Sequence, residues 1–373
     1  VNIAFIPLHT WLPDAYPRAH VAASVFLSVY TTKAAVYLLA RAQPGTEYIA
    51  FMGALMAVYG VIFAVFQNDM RRLLSYHIVS QVGYMVAGIG ILGWLGAADA
   101  IAQLGLDGGM AHLFNHILYK ALLFMAVGVI IWKTGENLLS RVGGLQKRMP
   151  VTAAAYWVAA FSIAGVPLFN GFVSKGMVLA AAEHTSMVLW ILLEIASFGT
   201  FVSFLKLGYF AFLRDGDISA SDPPLLMQAA MLGAAALCIV IGIYPPLLYA
   251  ILPYPVSYAA YDPAHLLSAV IVLGAAAAFF FTVGKDLLRP HDTALKDADA
   301  VYAAACRGIT DFAGWLCHVF ERIYGAATAA ALLLFDAGRI CMGMENRDAN
   351  WNMEIFVGMI IALTGVILLG AGG

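Results

Sequence analysis

Apolar residues in this chain come in long runs, not in the short alternations of half-buried strands or surface helices. Windows of roughly 18–25 mostly apolar residues recur near 21–40, 47–66, 73–95, 110–132, 151–182, 187–213, 226–252, 265–284 and 353–371. As a helix, such a run covers the ~30 Å hydrocarbon layer of a bilayer. The pattern predicts an all-α integral membrane protein, a polytopic bundle of about nine spans. The opening "VNIAFIPLHTWLP" is too short to cross and is read as the remnant of a longer span, in a fragment or in one half of a split protein.

Composition supports the same setting: 62% hydrophobic residues, 11% charged residues and a mean hydropathy of +0.84 lie far from a soluble domain. A formal charge of −2 makes no case for nucleic acid. The placement of basic residues says more. Arg71 and Arg72, then Lys133, Arg141, Lys147 and Arg148, then Arg214, then Lys285, Arg289 and Lys296 fall in alternate loops. The intervening loops 96–109, 183–186 and 253–264 carry Asp99, Asp107, Glu183 and Asp262 instead. The positive-inside rule puts the basic set in the cytoplasm. Cys238, Cys306, Cys317 and Cys341 stand singly, without a C-x-x-C pair, so neither an iron–sulfur cluster nor a disulfide framework is expected, and no cofactor is predicted.

Two windows are broken by proline. The first break is "IPLHTWLPDAYP", with Pro7, Pro13 and Pro17; the second is "AGVPLFNGFVSKG", where Pro167, Asn170 and Gly171 interrupt 151–182 just before Lys175. Breaks at membrane depth survive only where protein or a water-filled cavity satisfies the freed backbone, and paired broken helices often mark an ion path.

Ionisable residues inside the spans sharpen this expectation, because each costs about 2.5–3.5 kcal/mol at mid-bilayer on insertion scales unless it faces a cavity or a partner. Lys33, Lys120 and Lys175 are the central set, with Glu194 and Lys206 on a later span and His77, His112 and His116 on earlier ones. In "AHLFNHILYKALLF" His112, His116 and Lys120 recur every four positions and share one helical stripe. In "SYHIVSQVGYM" His77, Gln81 and Tyr84 do the same at spacings of four and three. Two such faces predict an interior hydrogen-bonded chain along which lysines, with histidines between them, pass protons. Plainer readings stand beside it. Lys206, near its span's end, fits a snorkelling or structurally paired lysine. His112 and His116 could be packed histidines, or ligands at i, i+4, but no H-E-x-x-H or third acidic ligand accompanies them. Glu194 fits an ion partner or a buried structural pair equally.

In order and spacing, "PLHTWLPDAYP", "TTKAAVYLLAR", "RRLLSYHIVSQVGYM", "HLFNHILYKALLF" and "AGVPLFNGFVSKG" resemble the proton-translocating antiporter-like subunits shared by respiratory complex I, membrane-bound hydrogenases and Mrp-type cation/proton antiporters. The resemblance covers about residues 1–250, and the lysine of "GFVSKG" makes it most similar to the D subunit of the Mrp type. It implies two inverted five-helix repeats, each with a broken helix, of which this chain holds the C-terminal one. It also implies a midplane axis of lysines and a glutamate. On that axis Lys33 matches the lysine connecting the half-channels, Lys175 that of the second broken helix, and His112, His116 and Lys120 the motif between them. The family's lysine five residues before the proline of the first motif falls on Asn2, an amide that cannot exchange a proton at accessible pH.

Residues 299–324 space Val301, Ala305, Ile309, Phe312, Leu316, Phe320 and Ile323 three or four apart, with Arg307, Asp311, His318 and Arg322 opposite, an amphipathic helix pattern. Run on to Met342, it would span about 65 Å. The organisation expected is a remnant over 1–20, the antiporter-like core over 21–285, a cytoplasmic-side linker and lateral helix over 286–351, and an anchor over 352–373. The expected setting is a multi-pass subunit of a bacterial cytoplasmic membrane. It would move protons, alone or exchanged for Na⁺ or K⁺, among other membrane subunits, including whatever supplies the first repeat. Two rival readings are a non-conducting scaffold, which Asn2 favours, and a quinone-reactive subunit using His77 or His112.

Overall fold

The computed structural model describes residues 1–42, 45–291, 297–341 and Gly358, and every regular element among them is helical. After a turn-rich start come α1 (Trp11–Arg18), α2 (Val21–Ala42), α3 (Glu47–Phe66), α4 (Met70–Ile91) and α5 (Asp99–Thr134). They are followed by the single turn α6 (Leu145–Arg148), α7 (Pro150–Ala164), α8 (Asn170–Thr185) and α9 (Met187–Gly208), which continues through one π turn, Tyr209–Leu213. Next come α10 (Leu225–Ile243), the short α11 (Pro246–Tyr249), α12 (Pro263–Phe279) with its own π turn Phe280–Gly284, the short α13 (Lys285–Leu287) and α14 (Ala298–Cys341). Their starts and stops follow local chemistry. Thr46 accepts the Ile49 N–H at 3.3 Å and Asp69 the Arg72 N–H at 2.8 Å as N-caps of α3 and α4. Pro150 opens α7, and Gly165, at φ 83°, ends it.

The chain divides into two compact units, Val1–Ala298 and the segment from Asp299 onward. In the first, α2, α3, α5, α9, α10 and α12 are long and apolar enough to cross a membrane. The less apolar α4 is buried along nearly its whole length. It can be so because its neighbours approach at backbone distance: a Cβ on Gly83 would lie 2.4 Å from the Gly53 oxygen of α3, and one on Gly60 2.5 Å from the Ser80 nitrogen of α4. A helix shielded from lipid in this way can carry Ser75, His77, Ser80 and Gln81 without exposing them. In the second unit α14 runs unbroken for 44 residues, about 66 Å at 1.5 Å per residue.

The expected interruption of 151–182 is present as the α7–α8 break, Gly165–Phe169. Two span expectations need correction. The stretch 96–109 is not a loop throughout: α5 begins at Asp99 and is 36 residues long. Its Gly105, Gly108 and Gly109 look like turn residues but are close-packing residues. A Cβ on Gly108 would lie 2.9 Å from the Val178 nitrogen and one on Gly109 2.8 Å from the Met85 oxygen. Asp107 is accordingly buried inside the helix, accepting the Tyr254 N–H at 3.2 Å. The window 226–252 ends early, at Ile243, because Pro245 and Pro246 cannot continue the helix. The anchor expected at 353–371 lies outside the described residues apart from Gly358.

Candidate functional site

The three lysines of the sequence pattern are buried in one polar system built from α2, α4, α5, α8 and α9. Lys33 on α2 is 3% exposed; its Nζ donates to the Ser28 carbonyl and, at 3.2 Å, to Thr32 Oγ1. Lys120 on α5 is fully buried, donates to the Leu74 carbonyl at 2.7 Å and lies 5.8 Å and 6.0 Å from the ring centres of Phe124 and Phe204. Lys175 on α8 donates to the Ala164 carbonyl at the end of α7, at 3.4 Å, and stands 4.9 Å over the Tyr84 ring. Among the described residues, none of them has a carboxylate within 4.0 Å. Backbone carbonyls and ring faces take the place of counter-ions.

Histidines occupy the space between. His112 Nε2 lies 3.2 Å from Gln81 Oε1 and 3.2 Å from the Tyr119 hydroxyl, and Nδ1 lies 3.1 Å from Ser174 Oγ, next to Lys175. Since Gln81 Oε1 can only accept, Nε2 carries a proton, while the Ser174 hydroxyl can donate to Nδ1 or accept from it. The ring is therefore satisfied both neutral and protonated. His116, with ring centre 6.4 Å from that of His112, is fully buried with both nitrogens unpartnered among the described residues, and it interacts electrostatically with Lys33 and Lys120. His77 pairs through Nε2 with Ser203 Oγ of α9 at 2.7 Å. Glu194, half-buried on α9, lines with Lys175 a cavity of about 40 Å³ and interacts with it electrostatically. Lys33, His77, His112, His116, Lys120, Lys175 and Glu194 thus lie in or beside one interior polar region, linked by hydrogen bonds around His112 and by electrostatic interaction elsewhere. Asn2 is exposed in the opening turns.

Lys206 has a plainer place. Its Nζ donates to the carbonyls of Val65 at 2.7 Å and Gln67 at 2.8 Å, closing the C-terminal end of α3. Sequence reasoning missed Ser174, Ser203, Thr200 and Tyr119, which hold the histidines and Gln81. No local pattern separates a hydroxyl facing a histidine from one back-bonding to its own helix.

It also missed a cluster built around one carboxylate against the first turns of α4. Asp297, buried just before α14, accepts from the hydroxyls of Tyr59 and, at 2.5 Å, Tyr76, and its Oδ1 lies 3.3 Å from His9 Nε2. Burial alone would raise its pKa. The contacts with His9, Tyr59 and Tyr76 and the Ala298 N–H outweigh this and hold it well below the usual carboxylate range. A depressed carboxylate contributes stability above the ordinary value near 3.9 and loses it as pH falls below that value. Asp297→Asn is therefore expected to lose about 1–3 kcal/mol near neutral pH. Measured as thermal unfolding in detergent, the gap to the unsubstituted protein should shrink from pH 7 toward pH 3. A gap that is constant across that range would contradict the assignment.

Residues 1–203 match the family described as NADH:quinone oxidoreductase/Mrp antiporter, TM, and the chain belongs to that family. An uncharacterised protein of Methanocaldococcus jannaschii is 34% identical over 256 residues, 64% of this chain and 51% of that protein. The D subunit of an Na(+)/H(+) antiporter of Alkalihalophilus pseudofirmus is 34% identical over 252 residues, 62% of this chain and 49% of its own. Among solved structures, a chain of the membrane-bound sulfane sulfur reductase, an archaeal respiratory membrane complex, matches with a TM-score of 0.60 at 25% identity, over 96% of this chain and 66% of that one. The chain spans about half the length of the curated relatives it matches. It is a multi-pass membrane protein of the antiporter-like class. Because archaeal proteins stand among these relatives, the match leaves the bacterial setting of the sequence reading unassigned.

Proposed function

We propose that this chain translocates protons, alone or in exchange for Na⁺ or K⁺, along Lys33, Lys120, His116, His112 and Lys175 to Glu194, with His77 beside Lys120, inside a multisubunit membrane assembly. The observation that carries the reading is the array itself: three buried lysines with carbonyl partners and, among the described residues, no carboxylate within 4.0 Å, with buried histidines in electrostatic contact with them. Lys206 of α9, by contrast, has two carbonyl partners at the end of α3 and, among the described residues, no histidine as a hydrogen-bond partner. A lysine held by carbonyl dipoles can release its proton without stranding a buried anion, so its charge can be switched. His112 supports relay in the same way, since taking up a proton requires only that the Ser174 hydroxyl turn. Each transfer changes the electrostatic energy of the next site, which is how a distant neighbouring protein could drive or be driven by the array.

In this reading residues 21–285 form the antiporter-like core, the second repeat and the helices that follow it, and 1–20 the remnant of a broken helix and a loop. Residues 286–351 run as linker and lateral helix along neighbouring subunits, and 352–373 anchor the end. The membrane is the cytoplasmic one, oriented by the basic loops. The names of the relatives, one from an Na(+)/H(+) antiporter and one from a respiratory membrane complex, support a place among other membrane subunits, one of which supplies the first repeat if the same chain does not.

The test is proton flux driven by a pH gradient into proteoliposomes carrying the whole assembly. Lys33→Ala at matched incorporation is expected to slow it by roughly tenfold, a barrier increase of about 1.4 kcal/mol. Undiminished flux, with loss of assembly on deleting 299–373 instead, would replace this reading with the scaffold.

A further inference from the structure

Beyond Lys175 the array meets two cavities that share a wall. The inner one, about 40 Å³, is lined by Lys175, Glu194 and Ser197, and it has room for at least one water. The outer one, about 360 Å³, reaches Glu183 and Asp262, in or beside the loops free of basic residues. The residues common to both are Leu179, Glu194, His265 and Ser268. Of these, only Glu194 and His265 carry titratable side chains.

His265 is built into this wall. Its ring lies 4.7 Å from that of Phe172 and, at an edge-on angle, 6.1 Å from that of Tyr258. Its Nε2 and the Tyr258 hydroxyl converge on Gly176, the residue after Lys175: a Cβ there would lie 2.4 Å from the first and 2.6 Å from the second. Glycine thus opens the α8 surface to two polar groups. Neither of those atoms has a hydrogen-bond partner among the described residues, although both are buried. Two buried polar atoms beside a cavity and without such a partner call for a role other than packing.

We infer that His265, with Glu194 across the wall, relays the proton from Lys175 into the outer vestibule and thence to the non-cytoplasmic side. The inference rests on the translocation reading above. In the step itself the Lys175 ammonium gives one proton through water to an imidazole nitrogen of His265. The ring then loses a proton to vestibule water, and no electrons move. The carboxylates of Glu183, Glu194 and Asp262 make the vestibule attractive to a positive charge and draw the proton outward.

Two measurements test it. In the assembled complex, with the natural cysteines of this chain replaced by serine, Ser268→Cys is expected to react with a cationic, membrane-impermeant methanethiosulfonate added from the side of loops 183–186 and 253–264, and not from the other side. No reaction from that side, or equal reaction from both, would overturn the vestibule as the outlet. In proteoliposomes His265→Gln is expected to slow proton flux about tenfold while Tyr258→Phe slows it less. If Lys175→Ala stops flux and His265→Gln leaves it unchanged, this relay is wrong and the lysine array stands. If Lys175→Ala leaves flux unchanged, the translocation reading fails first. Should His265→Gln fail to assemble, the labelling result decides alone.

Discussion

Lys175→Ala is expected to reduce proton flux through the assembled complex to that of protein-free liposomes, with assembly unaffected. The side chain stands between the histidine cluster and the cavity shared with Glu194. Its neighbour Ser174 bonds His112 at 3.1 Å, its own Nζ reaches the end of α7, and it lines the cavity that Glu194 shares. Truncation removes the exchangeable charge and puts nothing in its place. Folding should survive, because the backbone contacts of α8 are made elsewhere and a lone buried ammonium costs free energy that alanine does not. The measurement is the response of a trapped pH dye to an imposed gradient, at equal protein per vesicle. Flux equal to that of the unsubstituted complex would remove the array from the account of function and leave Lys175 a structural residue.

Gly171→Val is expected to prevent folding outright. A Cβ at this position would lie 1.7 Å from the Ser162 carbonyl oxygen and 2.7 Å from its carbon, both backbone atoms in the last turn of α7. Backbone cannot swing aside as a long side chain can, and α8 is also pinned across the break by the Asn115 side-chain amide, which donates to the Asn170 carbonyl at 2.7 Å. Overpacking of this kind costs about 1–3 kcal/mol when neighbours can adjust and more when they cannot. Because Lys175 lies four residues further on, any shift of the first turn also moves the ammonium off the Ala164 carbonyl. The readout is the yield of monodisperse protein after detergent extraction. Gly233→Ala, where a Cβ meets nothing within 4 Å, serves as the control and should extract normally. Normal extraction of Gly171→Val would mean that α7 and α8 do not cross this closely.

Much of this molecule is legible in the sequence because the controlling physics is local. Apolar runs long enough to span a bilayer mark α2, α3, α9 and α12, the glycine and proline of "AGVPLFNG" mark the α7–α8 break, and a four-residue period puts His112, His116 and Lys120 on one stripe. The cost of a charge in lipid turns that stripe inward whatever surrounds it. Composition misleads where a residue type serves two ends. The glycines at 105, 108 and 109 read as a loop, yet in a helix pressed against α4 and α8 they are the residues that permit contact.

Spacing and hydropathy by themselves determined the class, an all-helical membrane bundle with broken helices and inward lysines. Tertiary structure decided which groups those lysines and histidines meet. His77 finds Ser203 across 126 residues, Tyr76 finds Asp297 across 221, and Lys206 closes α3 from 139 residues away. His265 becomes part of a cavity wall only because α12 lies beside α8 and α9. A helical period fixes which face a residue occupies within a few turns of chain, but the partner on the other side of that face is chosen by packing between helices, where sequence distance carries no information.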